Sequence, residues 1–171
     1  MKQFSTFLLA LIAVFTCKAQ DYPLTVVENV DLIKYSGLWY EIASFPQRFQ
    51  KGCKCTTAEY LINNDHSIKV INTCTKPDKI TQIMGKASVV PGSGNAKLKV
   101  QFFWPFKGDY WIVELDHDYQ WAAVGNKDRK YLWILSRTPI MSDLLFTEIC
   151  IKLHKKGFDI SNLQKTVHDC Y

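Results

Sequence analysis

Six cysteines, four histidines and one glutamate inside an apolar alternation are the residues of this chain whose types could do chemistry. Cys53-Lys54-Cys55 is CxC rather than the CxxC of common zinc and redox sites, and no histidine lies near it in sequence. No metal site is expected. His66, His117, His154 and His168 fall in a turn, a connection, a helix and a tail by the readings below, so no nucleophile and base converge. Neither an enzyme nor a bound cofactor is expected. The glutamate is harder to place. In SGLWYEIASF, residues 36 to 45, strand alternation sets Trp39, Glu41, Ala43 and Phe45 on one face. Carboxylates are rarely buried unpaired. Either the stretch is no strand, or Glu41 sits inside with a partner among Tyr or Asn side chains or ordered water.

The first residues, MKQFSTFLLALIAVFTCKAQ, read as a leader: Lys2 supplies the charged start, Phe7 to Phe15 an apolar run and Cys17-Lys18-Ala19 a small-residue exit. A signal peptide over 1–19 and a single domain over 20–171 are expected, with the mature protein periplasmic or secreted. The alternative is an outer-membrane lipoprotein with a lipidated Cys17, although Val14-Phe15-Thr16 fits that pattern poorly. Export permits disulfides. Cys53, Cys55, Cys74, Cys150 and Cys170 remain beyond the leader, and their odd number leaves at least one thiol free.

Of 171 residues 47% are hydrophobic and 13% aromatic, enough for one sizeable core or an apolar cavity. The formal charge of +5 falls to +3 when Lys2 and Lys18 leave with the leader. That is too mild and dispersed for nucleic acid. Lys51, Lys54, Lys97, Lys99, Lys155 and Lys156 read as solvated faces, with a weak attraction to anionic lipid surfaces.

Short strand-like runs position these residues: 38–45, 54–62, 67–74, 80–89, 96–104, 110–115, 120–126 and 130–137. Between them stand the turn signals Asn63-Asn64-Asp65, Lys76-Pro77-Asp78, Pro91 to Asn95, Lys107-Gly108-Asp109 and Asn126-Lys127-Asp128. The period of two is clearest where Leu98, Val100 and Phe102 alternate with Lys97, Lys99 and Gln101. Eight runs with short connections predict an antiparallel up-and-down sheet, and closure into a barrel removes its edges. From Ser142 the period becomes helical, with Leu145, Phe146, Ile149, Cys150 and Leu153 on one stripe and Gly157 as the stop. This single C-terminal helix must pack outside the barrel, burying Cys150 as a free thiol.

Gly37-Leu38-Trp39-Tyr40-Glu41-Ile42-Ala43 resembles the first motif of the lipocalins, GxW followed by YEIA. Leu115-Asp116 through Tyr119 resembles a variant of the second motif, and Leu132 through Arg137 the third. The resemblance runs from about Gly37 to Phe158 and points to the branch of the bacterial outer-membrane lipocalins and apolipoprotein D. It implies that Arg137 stacks on Trp39 at the closed end of the barrel. It also implies a ligand cavity lined by Glu41, Ala43, Phe45, Ala58, Tyr60, Val70, Asn72, Leu98, Val100, Phe102, Tyr110, Ile112, Tyr131 and Trp133.

The partner so implied is a small hydrophobic ligand, a fatty acid, lysophospholipid or similar lipid. Pigments such as bilins or carotenoids are the alternative, and a lipocalin-type isomerase a further one. Cys55 stands where relatives tie the second strand to the tail, with Cys170 as its implied partner. Cys53 and Cys74 flank the hairpin around Asn64 and could bridge its base. Strand parity leaves that pairing open, because a bulge near Lys54 would turn each cysteine the other way. Phe103-Trp104-Pro105-Phe106 forms either an apolar rim for peripheral membrane contact or local loop packing.

Overall fold

The computed structural model describes residues 22–170, so the expected leader and Cys17 lie outside the described residues. Four-residue α1 (Leu32–Tyr35) is capped by Asp31, whose carboxylate accepts from the amides of Ile33 and Lys34. It leads directly into β1 (Gly37–Ser44). Then follow β2 (Lys54–Ile62), β3 (Ile68–Lys76), β4 (Lys79–Val89), β5 (Lys97–Phe103), β6 (Phe106–Leu115), β7 (Trp121–Gly125) and β8 (Leu132–Ser136). Helix α2 (Asp143–Lys155) and a two-residue β9 (Gln164–Lys165) complete the order.

Each strand pairs antiparallel with the next from β2 to β8, and β1 closes the ring by pairing with both β8 and β2. The result is the expected eight-stranded up-and-down barrel, with β9 added. The seam between β1 and β2 is complete only at its lower end, where Gly37 to Tyr40 face Tyr60 to Thr57. Higher up, Ala43 and Ser44 pair instead with Lys165 and Gln164 of β9. On the tail's other side, Cys55 donates its amide to the carbonyl of Val167 at 2.8 Å. The C-terminal tail therefore stands as a stave between β1 and β2. Cys55–Cys170 staples it there, and Cys53–Cys74 ties the residue before β2 to β3. The β2–β3 register slips between Lys54 and Thr57, and Cys55 takes a φ of +48°. This local turn aims two cysteines separated by a single residue, Lys54, at different partners.

Two apolar layers hold the barrel. Inside, Tyr35, Trp39, Tyr60, Val70, Leu98, Ile112 and Leu135 belong to one cluster. Outside, Ile42, Val113, Ala123, Leu132 and Ile134 meet Ile149, Cys150 and Leu153 of α2. Cys150 is a buried free thiol. Ser142 caps α2 by accepting from the amide of Leu145, and Gly157 ends it at a φ of +84°.

One expected turn is displaced. Lys107-Gly108-Asp109 lies within β6, and the chain reverses at Trp104-Pro105, a cis peptide. Gly108 faces Val100, and Lys99 meets Asp109 across the strands at 2.6 Å. That cross-strand pair accommodates polar residues that resemble a turn in isolation.

Candidate functional site

The closed end of the barrel is built from Trp39, Arg137 and α1. The Arg137 guanidinium lies over the indole at 3.7 Å from the ring centre. It donates to the backbone carbonyls of Lys34, Tyr35, Ser36, Leu38 and Tyr119. The Trp39 indole N–H donates to the carbonyl of Tyr35 at 2.8 Å. One side chain, just after β8, thus joins α1, β1 and the β6–β7 turn. Gly37 has a φ of +90°, which strains any residue with a Cβ, and this explains the glycine two positions before the tryptophan.

Above this floor is a cavity of about 480 Å³, within the usual range of ligand pockets. Glu41, Ala58, Tyr60, Val70, Asn72, Val100, Phe102, Tyr110, Tyr131 and Trp133 line it. Cross-strand register groups them: Ala58 faces Asn72, and Tyr60 faces Val70. Tyr131 and Trp133 stack nearly parallel at 6.0 Å.

Four expected lining residues stand elsewhere. Leu98 and Ile112 are fully buried in the inner cluster without lining the cavity: they fill the floor. Ala43 and Phe45 are displaced by a bulge. The β1–β8 register slips between Glu41, which faces Leu135, and Ala43, which faces Ile134. Leu135 belongs to the inner cluster and Ile134 to the helix-side cluster. The slip therefore reverses the parity of β1 above Glu41. Ala43 turns outward, and Phe45 packs edge-on against Phe158 at 6.3 Å. Ser44 comes round to the side of Glu41.

That reversal supplies the acid's partners. Glu41 is 5% exposed. Its Oε1 accepts from Ser44 Oγ at 3.1 Å and Thr166 Oγ1 at 2.7 Å, and its Oε2 from Gln50 Nε2 at 2.7 Å. Ser, Gln and Thr thus occupy the role expected of Tyr or Asn. Two of them come from segments without periodicity, the short turn Arg48–Gln50 and the tail. His168 Nε2 lies 2.8 Å from the backbone carbonyl of Glu41.

A second polar group stands lower in the cavity. Tyr110 Oη lies 2.7 Å from both Tyr35 Oη and Tyr60 Oη. Burial holds all three hydroxyls well above the ordinary phenol value, so they stay neutral. Three hydroxyls share two hydrogen bonds, so one O–H remains to donate.

The cavity opens between Phe49, Phe103, Phe106 and Lys107, and the three aromatic rings are exposed. Neither Phe49 nor Gln50 was legible in the sequence, because a short irregular turn carries no pattern. Thr56 and Leu135 also line the cavity. Their parity with Ala58 and Trp133 was the signal that could have found them.

A family model of the lipocalin-like domain matches residues 30–168. The outer membrane lipoprotein Blc of Escherichia coli (strain K12) is 42% identical over 156 residues, covering 89% of this chain and 88% of its own. Temperature-induced lipocalin-1 of Arabidopsis thaliana is 43% identical over 152 residues, covering 84% and 82%. Apolipoprotein D of Mus musculus is 34% identical over 177 residues, covering 94% and 92%. Among solved structures, insecticyanin from the tobacco hornworm Manduca sexta has a TM-score of 0.71 at 20% identity, covering 87% of this chain and 89% of that one, a likeness of fold. Barrel, floor, motifs and matches agree: the chain belongs to the lipocalin family.

Proposed function

We propose that this lipocalin binds and carries a long-chain amphiphile, such as a fatty acid or lysophospholipid, outside the cytoplasm. The observation that carries this reading is the cavity of about 480 Å³, floored by Trp39, walled by apolar and aromatic side chains and open at an aromatic mouth. A chain of some 10 methylenes inside it gains roughly 8 kcal/mol at about 0.8 kcal/mol per CH₂, before ordering costs. The few polar groups, Glu41, Asn72 and the tyrosine chain, suit a ligand that is oriented as well as buried. Two disulfides support a location in an oxidising compartment. Binding rather than catalysis is favoured because Cys53 and Cys55, the cysteines around the start of β2, are both joined in disulfides.

The test is to purify the protein under mild conditions, read its visible absorbance, then denature it and extract for lipid mass spectrometry. A colourless protein yielding about one long-chain lipid per chain is the expected result. A stoichiometric chromophore would move the reading to a pigment binder. A preparation that neither carries nor takes up lipid would reject it. The mass of the mature N-terminus decides between cleavage after Ala19 and lipidation of Cys17.

A further inference from the structure

Beside the main cavity a second hollow, of about 470 Å³, lies in the seam where β9 replaces β2 along β1. Glu41, Gln50 and Thr56 belong to the walls of both, so they stand where one hollow meets the other. Among the described residues, the buried side-chain atoms without a hydrogen-bond partner concentrate here: Gln47 Nε2 and Oε1, Gln50 Oε1 and Thr56 Oγ1 all lie on this wall. Thr56 is 5% exposed. Buried polar atoms are normally satisfied by protein, water or ligand, so a cluster of unsatisfied ones marks a place built to meet a polar group.

The chemistry of that group follows from the atoms. Glu41 Oε2 accepts only from Gln50 and keeps a free lone pair. The side-chain partners of the carboxylate, Ser44, Gln50 and Thr166, are all neutral. Arg48, Lys51 and Lys165 belong to the exposed rim, where Lys165 pairs with Asp143 at 2.8 Å. The inner wall therefore offers acceptor oxygens on Glu41, Gln47, Gln50 and Thr56, which outnumber its unsatisfied donors, Gln47 Nε2 and the Thr56 hydroxyl, and among the described residues lining the hollow every Lys and Arg is on the exposed rim.

Resting on the reading of the main cavity as a lipid site, we propose that this hollow is a head-group subsite for amphiphiles whose polar end donates hydrogen bonds, with a primary ammonium the best match. Three N–H donors meet Glu41 Oε2, Gln50 Oε1 and Thr56 Oγ1, and the positive charge answers the carboxylate. A carboxylate head meets like charge at Glu41. A quaternary ammonium or an ester brings no donor.

Three probes of one chain length separate these heads: hexadecylamine, hexadecanoic acid and methyl hexadecanoate. Each is titrated against the delipidated protein by tryptophan fluorescence, below its own aggregation concentration, with thermal melting measured alongside. The wild type is expected to bind the amine at least tenfold more tightly than the acid. Thr56→Val and Gln47→Leu, which remove unsatisfied atoms, should keep or raise the melting temperature. Both should cut the amine preference at least threefold, and Gln47→Leu, which lies outside the main cavity's lining, should leave ester binding unchanged. Glu41→Gln should abolish most of the preference; if it fails to fold, the other two variants decide.

Equal affinity for all three probes, tighter binding of the acid, or a preference untouched by Thr56→Val and Gln47→Leu would overturn the subsite and leave a hollow that holds only water. In those cases the main cavity still binds lipid. Failure of every probe to bind would instead strike the lipid reading itself.

Discussion

Tyr110 holds its hydroxyl between those of Tyr35 and Tyr60 and is the shared partner of both. Tyr110→Phe leaves two buried hydroxyls unpaired and should lower stability by about 2–4 kcal/mol, measured by urea unfolding. Tyr60→Phe, which strands only one bond, should cost less. The same phenols set an alkaline limit. Their folded pKa values stand above the ordinary value of 10.0, chiefly through burial. Above pH 10 the unfolded chain releases these protons and the folded one keeps them, so stability falls as pH rises. The contribution is complete below pH 10. Phenolate absorbance should show three tyrosines ionising only as the protein unfolds; early, reversible ionisation of all tyrosines would refute the chain. At this scale the sequence spoke clearly as far as Glu41 and misled beyond it. Alternation placed Trp39 and Glu41 inside correctly, but a bulge at Ile42-Ala43 has no composition of its own. Ala43 and Phe45 were therefore assigned to the wrong side.

Among the elements, all eight barrel strands and α2 were legible, from a period or from a short apolar run between turn signals, although β6 begins four residues before the expected run. The two that escaped, α1 and β9, are too short to show a period. Both matter more than their length suggests. Helix α1 and its C-cap Ser36 supply three of the carbonyls that Arg137 binds at the floor. Strand β9 and the residues after it bring Thr166 and His168 to Glu41. The cysteine pairing reached this tail from family resemblance, where periodicity did not. Cys55–Cys170 closes a separation of 115 residues, and a loop of that order restricts the unfolded chain by about 4–5 kcal/mol in the entropic view. Replacing both cysteines by serine should lower stability by about 2–5 kcal/mol. It should also speed hydrogen exchange at the Cys55 and Thr166 amides, which bond to Val167 and Ile42. A tail as protected as in the wild type would show that β9 pairing holds it without the staple.

At the scale of the whole molecule, the apolar surface is unevenly distributed. Phe49, Phe103, Trp104 and Phe106 are 67–86% exposed at the mouth. Lys107 stands among them on the cavity wall. A lipid surface would cover such a ring while the cavity faces it. Trp104→Ser, which leaves the cavity lining intact, should weaken association with vesicles containing anionic lipid at least tenfold without shifting the melting temperature. Unchanged association would remove membrane contact from the picture.

The seam has a topological meaning as well. With Cys55 joined to Cys170, the chain between them is a covalent ring even when unfolded, and Cys53–Cys74 adds a smaller loop at its start. Strand β1 lies outside that ring, on a free arm. Closing the barrel is the docking of this arm between β8 and the β2–β9 edge. The arm carries Trp39 and Glu41, so the blind end of the tube and the acid beside its polar hollow are installed in one motion by the same eight residues.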